Sequence, residues 1–333
     1  MNCLVQPEMF PFVLPGKEEF LSTCSRVTLT LLLTERCNYQ CAHCLYACGP
    51  SKSSLYMPDS ILEHAARAVQ DCSSLEDGLV LNLIGGEVSI EPAELARVIR
   101  WVVGLNSFFR LSMVTNGWFL QRPKSVATIA EALRPLWKMN DDYLRIGISN
   151  TPWHDRFRTP RLQEILKNKL PVVLANLKQW YPPAEVESLN SSQREAISLM
   201  AEASVREKLY VQCRHDTTFN LIYMGRAEHN GFGRLSHSCS ADDLSLTVWP
   251  DGTIRHICDG AGKMNFGHIR QGIVELWALR QEFLARLHRR FAAPKDGLWS
   301  SSSPRCENCR AYAGYWLDKE RPKFSSTAQT DIN

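Results

Sequence analysis

Three closely spaced cysteines directly follow an apolar stretch near the start of the chain. Cys37, Cys41 and Cys44 are separated by three and two residues, and they follow the run 27–33, whose composition is typical of a buried strand. Three thiolates from one loop leave the fourth iron of a cubane iron-sulfur cluster without a protein ligand, whereas ferredoxin motifs fill every iron. The spacing therefore predicts a cluster whose open iron binds and reduces a substrate.

Strand and helix patterns alternate after this loop. Apolar runs at 79–84, 109–114 and 144–148 indicate buried strands, and amphipathic helical patterns lie between them. Repeated strand-helix units predict a parallel sheet and an α/β fold. At 333 residues the chain has room for one barrel-type domain and a small appendage. The stretch 162–180 fits either one helix or a helix and a strand.

The second, third and fourth predicted strands each end in a short polar motif. In chain order these motifs are Gly85-Gly86-Glu87, Thr115-Asn116-Gly117 and Ser149-Asn150. Active-site groups of barrels lie on the loops after the carboxyl ends of the strands, and all of these motifs occupy such loops. Together with the cysteine spacing, they resemble the radical S-adenosylmethionine (SAM) superfamily.

The resemblance implies a partial (β/α)6 TIM-like barrel and a role for each motif. The open iron of a [4Fe-4S] cluster would chelate the amino and carboxylate groups of SAM. Gly85 and Gly86 would allow close backbone approach, and the carboxylate of Glu87 would meet the SAM ammonium. Asn116 and Ser149 match family positions that face the ribose and the methionine of SAM.

The resemblance also implies the reaction and further site residues. SAM would be cleaved reductively to a 5'-deoxyadenosyl radical that abstracts hydrogen from the substrate, with an external reductant such as flavodoxin or ferredoxin. His43 occupies the position of an aromatic residue that contacts adenine. His154 and Arg158 could contact SAM or belong to a solvated loop. Cys213, at the end of a late strand, could donate hydrogen to a substrate radical.

A second cysteine group lies towards the C-terminus. It consists of Cys239, Cys258, Cys306 and Cys309. Four thiolates can close around zinc or around a [4Fe-4S] cluster. The segment 246–258 carries a hairpin signal, with Pro and Asp-Gly at its turn. The group resembles the SPASM/twitch extension of radical SAM enzymes, which implies an auxiliary cluster, and its spacing is similar to that of 2-deoxy-scyllo-inosamine dehydrogenases.

These patterns divide the chain into four parts. Residues 1–26 form an N-terminal extension, and residues 27–230 form the radical SAM partial barrel. Residues 231–318 form a small twitch-like domain, made of a β-hairpin and helix, that binds the auxiliary cluster. Residues 319–333 form a polar tail.

Cys48 supports an alternative to the open cluster. It lies four residues after Cys44 and could supply a fourth ligand to a structural zinc site. A fourth thiolate would also close an iron cluster and abolish SAM binding. We expect the remaining cysteines outside the two groups to be small apolar residues of the core.

Charge and composition exclude some classes of partner. The net charge is +3, and no dense run of Lys and Arg with interleaved aromatic residues indicates a nucleic-acid partner. The sequence has no stretch of about eighteen apolar residues and no export signal, so we expect a cytoplasmic protein without a membrane partner. In that compartment the twelve cysteines would be reduced thiols, which favours metal ligation over disulfides.

The substrate class stays open at this point. Many proteins with this extension modify ribosomally made peptides, so oxidative peptide modification is the leading hypothesis. The four-cysteine spacing favours instead a dehydrogenase or epimerase of a sugar or aminocyclitol. A third hypothesis from another class is a non-catalytic iron-sulfur electron-transfer protein or a zinc-binding protein.

Overall fold

A computed structural model describes most of the chain. It covers residues 16–42, 44–75, 78–105, 109–137, 144–213, 243–256 and 266–291. His43, the four cysteines of the second group and the boundary near residue 230 lie outside these ranges, as does the side chain of Cys213. The auxiliary-cluster site and the division into domains therefore stay predictions.

The described strands form one eight-stranded sheet. They are β1 Arg26–Leu32, β2 Leu79–Ile84, β3 Phe109–Thr115, β4 Leu144–Asn150, β5 Leu209–Cys213, β6 Asp243–Val248, β7 Thr253–His256 and β8 Gly267–His268. Their order is β5-β4-β3-β2-β1-β6-β7-β8, and β1 to β5 are parallel neighbours in chain order. This order confirms the predicted α/β fold of barrel type.

Helices lie between successive parallel strands, before the first strand and after the last one described. They are α1 Lys17–Thr23, α2 Asp59–Asp71, α3 Pro92–Val103, α4 Pro123–Trp137, α5 Pro152–Asp155, α6 Pro160–Lys167, α7 Leu170–Ala175, α8 Leu177–Trp180, α9 Pro183–Glu187, α10 Ser191–Val205 and α11 Ile273–Phe291, with 3-10 turns at Trp118–Gln121 and Ile269–Gln271. Within the described ranges, no helix has the length and apolar character needed to cross a membrane.

The ambiguous stretch 162–180 contains no strand and consists of short helices separated by breaks. Asn168 ends α6 in an extended conformation, and Asn176 leaves the helical region between α7 and α8. Asn is a weak helix former because its side chain competes for backbone hydrogen bonds. These breaks let the segment fold back on itself instead of extending as one long helix.

The two faces of the parallel sheet differ in polarity. Leu29, Leu81 and Met113 lie on the face that packs against the helices, and all three are buried. The opposite face carries polar side chains in register, including Thr30 and Asn82, whose amide donates to the Thr30 hydroxyl at 3.2 Å. A fully packed barrel interior would be apolar. The polar face therefore leaves a surface suited to a polar ligand.

The predicted C-terminal hairpin is present and belongs to the same sheet. β6 pairs in parallel with β1, and β7 pairs antiparallel with β6. Gly252 takes a φ of +80° at the turn, where a Cβ would lie 2.4 Å from the His268 ring, so glycine is required. The hairpin thus extends the barrel sheet beyond β1, and its first strand ends on the same edge as the cysteine loop.

Candidate functional site

The loop that carries the cysteines is closed by its own backbone. The Cys37 amide donates to the Gly49 carbonyl at 3.2 Å, and the Gly49 amide donates back to Glu35 at 3.2 Å. A turn inside the loop is formed by the Cys44 amide, which donates to the Cys41 carbonyl at 3.2 Å. These bonds hold the three motif cysteines on one compact loop at the carboxyl end of β1.

The loop after β2 is bonded directly to the cysteine loop. The Gly86 amide donates to the Thr34 carbonyl at 2.7 Å, and the Glu87 amide donates to the Arg36 carbonyl at 2.9 Å. A Cβ on residue 86 would lie 2.1 Å from the Arg36 carbonyl oxygen, closer than any real contact. Only glycine permits this approach, so the close backbone contact expected of Gly86 is made with the cysteine loop itself.

The cysteines lie in a small apolar cluster apart from the main core. Cys37, Cys41 and Cys48 are buried in it with Tyr39 and Trp249, and Cys44 lies partly buried at its edge. Burial raises the pKa of the Cys37 thiol, and the nearby Glu87 carboxylate raises it further. Thiolates at this site therefore need positive charge from a bound metal, since metal coordination deprotonates a thiol.

Cys48 contacts the motif cysteines and is not an isolated core residue. It is 1% exposed, and a hydrogen bond to Cys44 is the largest cause that raises its pKa. Its thiol also lies 3.8 Å from the Tyr46 carbonyl oxygen. The structure is compatible with two roles for Cys48. It could be a fourth thiolate ligand, or its thiol could donate a hydrogen bond to the sulfur of a ligating cysteine.

The surroundings of the cysteine loop fit a bound polar group, although its described thiols do not converge on a single metal ion. Among the described residues, no three His, Cys, Asp or Glu side chains are arranged around a single metal ion. Two buried polar atoms beside the cysteines, the Asn38 amide nitrogen and the Tyr39 hydroxyl, have no hydrogen-bond partner within the described residues. Buried polar groups normally have partners. A polar group bound over the cysteine loop would supply them.

Glu87 is a fully buried carboxylate held by four donors. Its Oε1 accepts hydrogen bonds from the Ser89 amide at 2.9 Å, the Ser89 hydroxyl and the Thr115 hydroxyl, and its Oε2 accepts from the Asn116 amide at 2.6 Å. Burial raises the pKa of Glu87, and these hydrogen bonds oppose that shift. Within the described residues no Lys or Arg forms an ion pair with it. Among the described residues, hydrogen-bond donors alone therefore stabilise this carboxylate.

Asn116 joins the third strand to the same site. Its side-chain Nδ2 donates to Asn38 Oδ1 at 2.9 Å and lies 4.0 Å from the Cys37 sulfur, while its side-chain Oδ1 accepts from the Trp118 backbone amide at 3.0 Å. The structure therefore brings Gly85, Gly86, Glu87 and Asn116 together around the cysteine loop.

Ser149 lies at the end of β4, where Arg158 holds its backbone. The Arg158 side chain is 2% exposed and donates to the Ser149 carbonyl at 2.8 Å and to Asn150 Oδ1 at 2.5 Å. His154 is also buried, and its ring lies 5.8 Å from that of Tyr39. The solvated-loop interpretation of these two residues is wrong, because the loop folds over the cysteine loop instead of into water.

Several aromatic residues at the site had no role in the sequence interpretation. Phe157 stacks on Tyr39 with ring centroids 5.5 Å apart, and Trp249 meets Tyr46 edge-on at 5.7 Å. Tyr39 lies inside the cysteine motif, a position that could have drawn attention to it. Trp249 gave no such signal, because only the pairing of β6 with β1 brings it to the cysteines.

Cys213 is the last residue of β5. Its backbone pairs with Asn150, so it lies at the same edge of the sheet as Ser149. Its strand-end position agrees with the sequence analysis. The direction and role of its side chain stay predictions.

Sequence comparisons give no match, and structural comparisons give distant ones. No family model and no curated protein matches the sequence. Among solved structures, the chain matches BtrN in complex with AdoMet and 2-DOIA at TM-score 0.44 and 14% identity, covering 80% of this chain and 89% of that one. It matches native anSMEcpe with bound AdoMet at TM-score 0.41 and 13% identity, covering 88% and 97%. It matches Streptococcus suis SuiB bound to S-adenosylmethionine at TM-score 0.40 and 10% identity, covering 80% and 70%.

Replacing Gly86 should damage the site more than the fold elsewhere. Gly86→Ala drives a Cβ into the Arg36 carbonyl, so we expect a loss of at least about 3 kcal/mol in unfolding free energy. We also expect iron incorporation to fall, because the cysteine loop must move. Gly104→Ala is the matched control, since its Cβ would lie 3.3 Å from Trp101 O at negative φ. Equal stability and iron content in the two variants would contradict the contact.

Replacing Cys48 separates its two possible roles. If Cys37, Cys41 and Cys44 suffice as ligands, Cys48→Ala should bind the same iron per chain after anaerobic reconstitution. It should lose only about 1 kcal/mol of stability from the small cavity. Loss of that iron, with the folded state retained by circular dichroism, would identify Cys48 as a fourth ligand.

Proposed function

We propose that this protein is a radical SAM enzyme of the SPASM/twitch type that modifies its substrate oxidatively. The proposal depends on one observation above all. The backbone contact at Gly86 holds the loop of three thiols beside a buried carboxylate that has no cationic partner in the part of the chain that the structure describes. The three thiols suit a cluster with an open iron, and the carboxylate beside them suits a ligand with an ammonium group.

The chain's own residues would divide the work of binding. Cys37, Cys41 and Cys44 would hold the [4Fe-4S] cluster, and Glu87 would bind the SAM ammonium. When bound, cluster and SAM supply a reducing electron and a 5'-deoxyadenosyl radical that abstracts hydrogen from the substrate. The aromatic side chains packed on Tyr39 would exclude water from that radical, and the polar face of the sheet would orient the substrate.

Two strand-end residues and one loop residue would complete the SAM site. Asn116 and Ser149 would face the ribose and the methionine, since both lie at the edge that carries the cysteine loop. His43 would contact the adenine. These assignments follow the motif resemblance, with Asn116 further supported by its hydrogen bond to Asn38.

The second cysteine group would hold an auxiliary [4Fe-4S] cluster. Cys239, Cys258, Cys306 and Cys309 would ligate it fully, and it would supply an acceptor for the electron of the substrate radical, which would make the net reaction an oxidation. An external reductant such as flavodoxin or ferredoxin would supply the first electron. Zinc at this site would shift the proposal towards redox-neutral chemistry such as epimerisation, with Cys213 as the hydrogen donor.

A peptide is our leading proposal for the substrate. The second candidate is a sugar or aminocyclitol, which the spacing of the second cysteine group favours. A non-catalytic iron-sulfur or zinc protein is the rival from another class. It requires that SAM neither binds nor is cleaved, and the two experiments below separate it from both enzyme proposals.

Removing the charge of Glu87 should weaken SAM binding selectively. Glu87→Gln keeps the shape of the side chain but removes the anion that would pair with the ammonium. We expect SAM affinity to fall by about ten- to a hundredfold on reconstituted protein, because each charged hydrogen bond is worth more than a neutral one. Isothermal titration calorimetry with SAM measures this loss.

The matched control is Glu63→Gln, which makes the same change on the exposed surface of α2. It should bind SAM like the unaltered chain. Unchanged SAM affinity in Glu87→Gln, with iron content retained, would rule out the ammonium contact.

Replacing a cysteine of the first group should abolish a different step of the reaction from replacing a cysteine of the second group. Cys41→Ala should abolish 5'-deoxyadenosine formation, whereas Cys306→Ala should permit some SAM cleavage but block the modified product. Metal analysis of the unaltered chain should give roughly eight irons for two clusters, or about four irons and one zinc if the second site is structural. Product formation at the normal rate in Cys306→Ala would refute the electron-acceptor role.

A further inference from the structure

The face of the parallel sheet opposite the helices, here called the inner face, begins with an apolar layer next to the cysteine loop. Ile84 and Val114 form this layer at the last inner-face positions of β2 and β3. They are neighbours, because the residues before them, Leu83 and Met113, pair in register. Ile84 packs against the cysteine cluster, and Val114 is 40% exposed. Since covering an exposed apolar side chain is favourable, this layer suits an apolar group of a ligand.

Two residues further from the cysteine loop, the inner face is polar. The Asn82 side chain donates to the Thr30 hydroxyl at 3.2 Å. In the same row Asn82 pairs with Ser112, and Ser112 pairs with Arg145. Two residues of a strand span about 6.6 Å. A ligand that covers Val114 and continues along β3 therefore meets hydrogen-bonding and cationic side chains after about 7 Å.

The inner face also carries two exposed arginines without an acidic partner. Within the described residues, the side chains of Arg110 and Arg145 form neither an ion pair nor a hydrogen bond. A third arginine on this face, Arg26, is paired with Asp243 at 2.7 Å. No Asp or Glu occupies an inner-face position of β1 to β5. The described part of the inner face is therefore cationic around Arg110 and Arg145.

Arg110 and Arg145 are close enough to bind one carboxylate. Arg145 pairs with Ser112, and Arg110 precedes Ser112 by two residues on the neighbouring strand. A strand separation of about 4.8 Å and an offset of about 6.6 Å place their Cα atoms about 8 Å apart. Both side chains are exposed, so a ligand can reach them. A carboxylate between two guanidinium groups gains charged hydrogen bonds and reduces the repulsion between the two cations.

The order of these groups along the strands indicates the substrate class of the candidate site. The rows of Ser112 and Arg110 lie about 7 and 13 Å from the row of Val114. An extended peptide advances about 3.3–3.6 Å per residue, so this span corresponds to about two to four residues. A single sugar or aminocyclitol ring presents no apolar side chain to Val114 with a carboxylate at that separation.

We propose that the substrate is a peptide with an apolar side chain against Ile84 and Val114 and an Asp or Glu carboxylate between Arg110 and Arg145. The acidic residue lies about two to four residues from the apolar one, as the spacing of the layers requires. This inference rests on the proposed function, because it specifies the substrate of that site.

Titration calorimetry with short synthetic peptides tests the inference on the reconstituted full chain. The probe is Leu-Ala-Ala-Glu, acetylated and amidated so that the glutamate carries its charge. We expect saturable binding of this peptide. Leu-Ala-Ala-Gln should bind at least about tenfold more weakly, because hydrogen bonds to a charged group are worth more than neutral ones. Ser-Ala-Ala-Glu should bind about threefold to tenfold more weakly, because it loses the apolar contact.

Three variants and a control assign the binding to the inner face. Arg110→Gln and Arg145→Gln should each weaken Leu-Ala-Ala-Glu at least about fivefold and leave Leu-Ala-Ala-Gln unchanged. Val114→Thr, which keeps the shape of the side chain, should reduce the preference for Leu over Ser. Arg100→Gln makes the same charge change on the exposed surface of α3 and should bind every peptide like the unaltered chain. All four positions are exposed, so the variants should fold, which circular dichroism checks.

Several results would overturn the inference. They are absence of saturable binding, equal affinity for the glutamate and glutamine peptides, and unchanged affinity in both arginine variants. Tighter binding of glucose 6-phosphate than of Leu-Ala-Ala-Glu would also overturn it, because the anion would then belong to a sugar. SAM cleavage is measured separately. Peptide selectivity without SAM cleavage would contradict the proposed function alone, whereas SAM cleavage without peptide selectivity would contradict this inference alone.

Discussion

The contact between the Gly86 backbone and the cysteine loop is the constraint on which the candidate site depends. Two amides of the β2 loop donate to two carbonyls of the β1 loop, and a side chain at residue 86 would make this impossible. Loops at the ends of neighbouring parallel strands are close, but their distance is not otherwise fixed. The hydrogen bonds fix it, and they place the backbone of Glu87 directly beside that of the cysteine loop.

The site keeps polar groups in a buried setting that a stable core would avoid. Glu87 is buried with four donors and without a described cationic partner, and the polar atoms of Asn38 and Tyr39 lack partners among the described residues. Such groups reduce the stability of the isolated fold. Departures of this kind from good packing concentrate at functional sites, where a ligand supplies the missing interactions.

The C-terminal hairpin is part of the sheet that builds the site. β6 lies in register beside β1, so the residue that follows it, Trp249, covers the cysteine cluster and meets Tyr46. The barrel strands and the hairpin therefore share one hydrophobic boundary around the cysteines. A substitution in the hairpin would therefore affect the cysteine loop directly, through the contact between Trp249 and Tyr46.

The sequence by itself determined the parallel α/β fold, the strand ends and the motif residues, because these follow from local periodicity and from spacing along the chain. It could not determine that His154 and Arg158 are buried, that Cys48 bonds to Cys44, or that Trp249 packs in the apolar cluster around the cysteines. Each of these depends on contacts between segments that are distant along the chain or on the exact path of a loop. Only the tertiary structure decided them, because burial and charge pairing are set by which strands become neighbours, and local sequence carries no record of that choice.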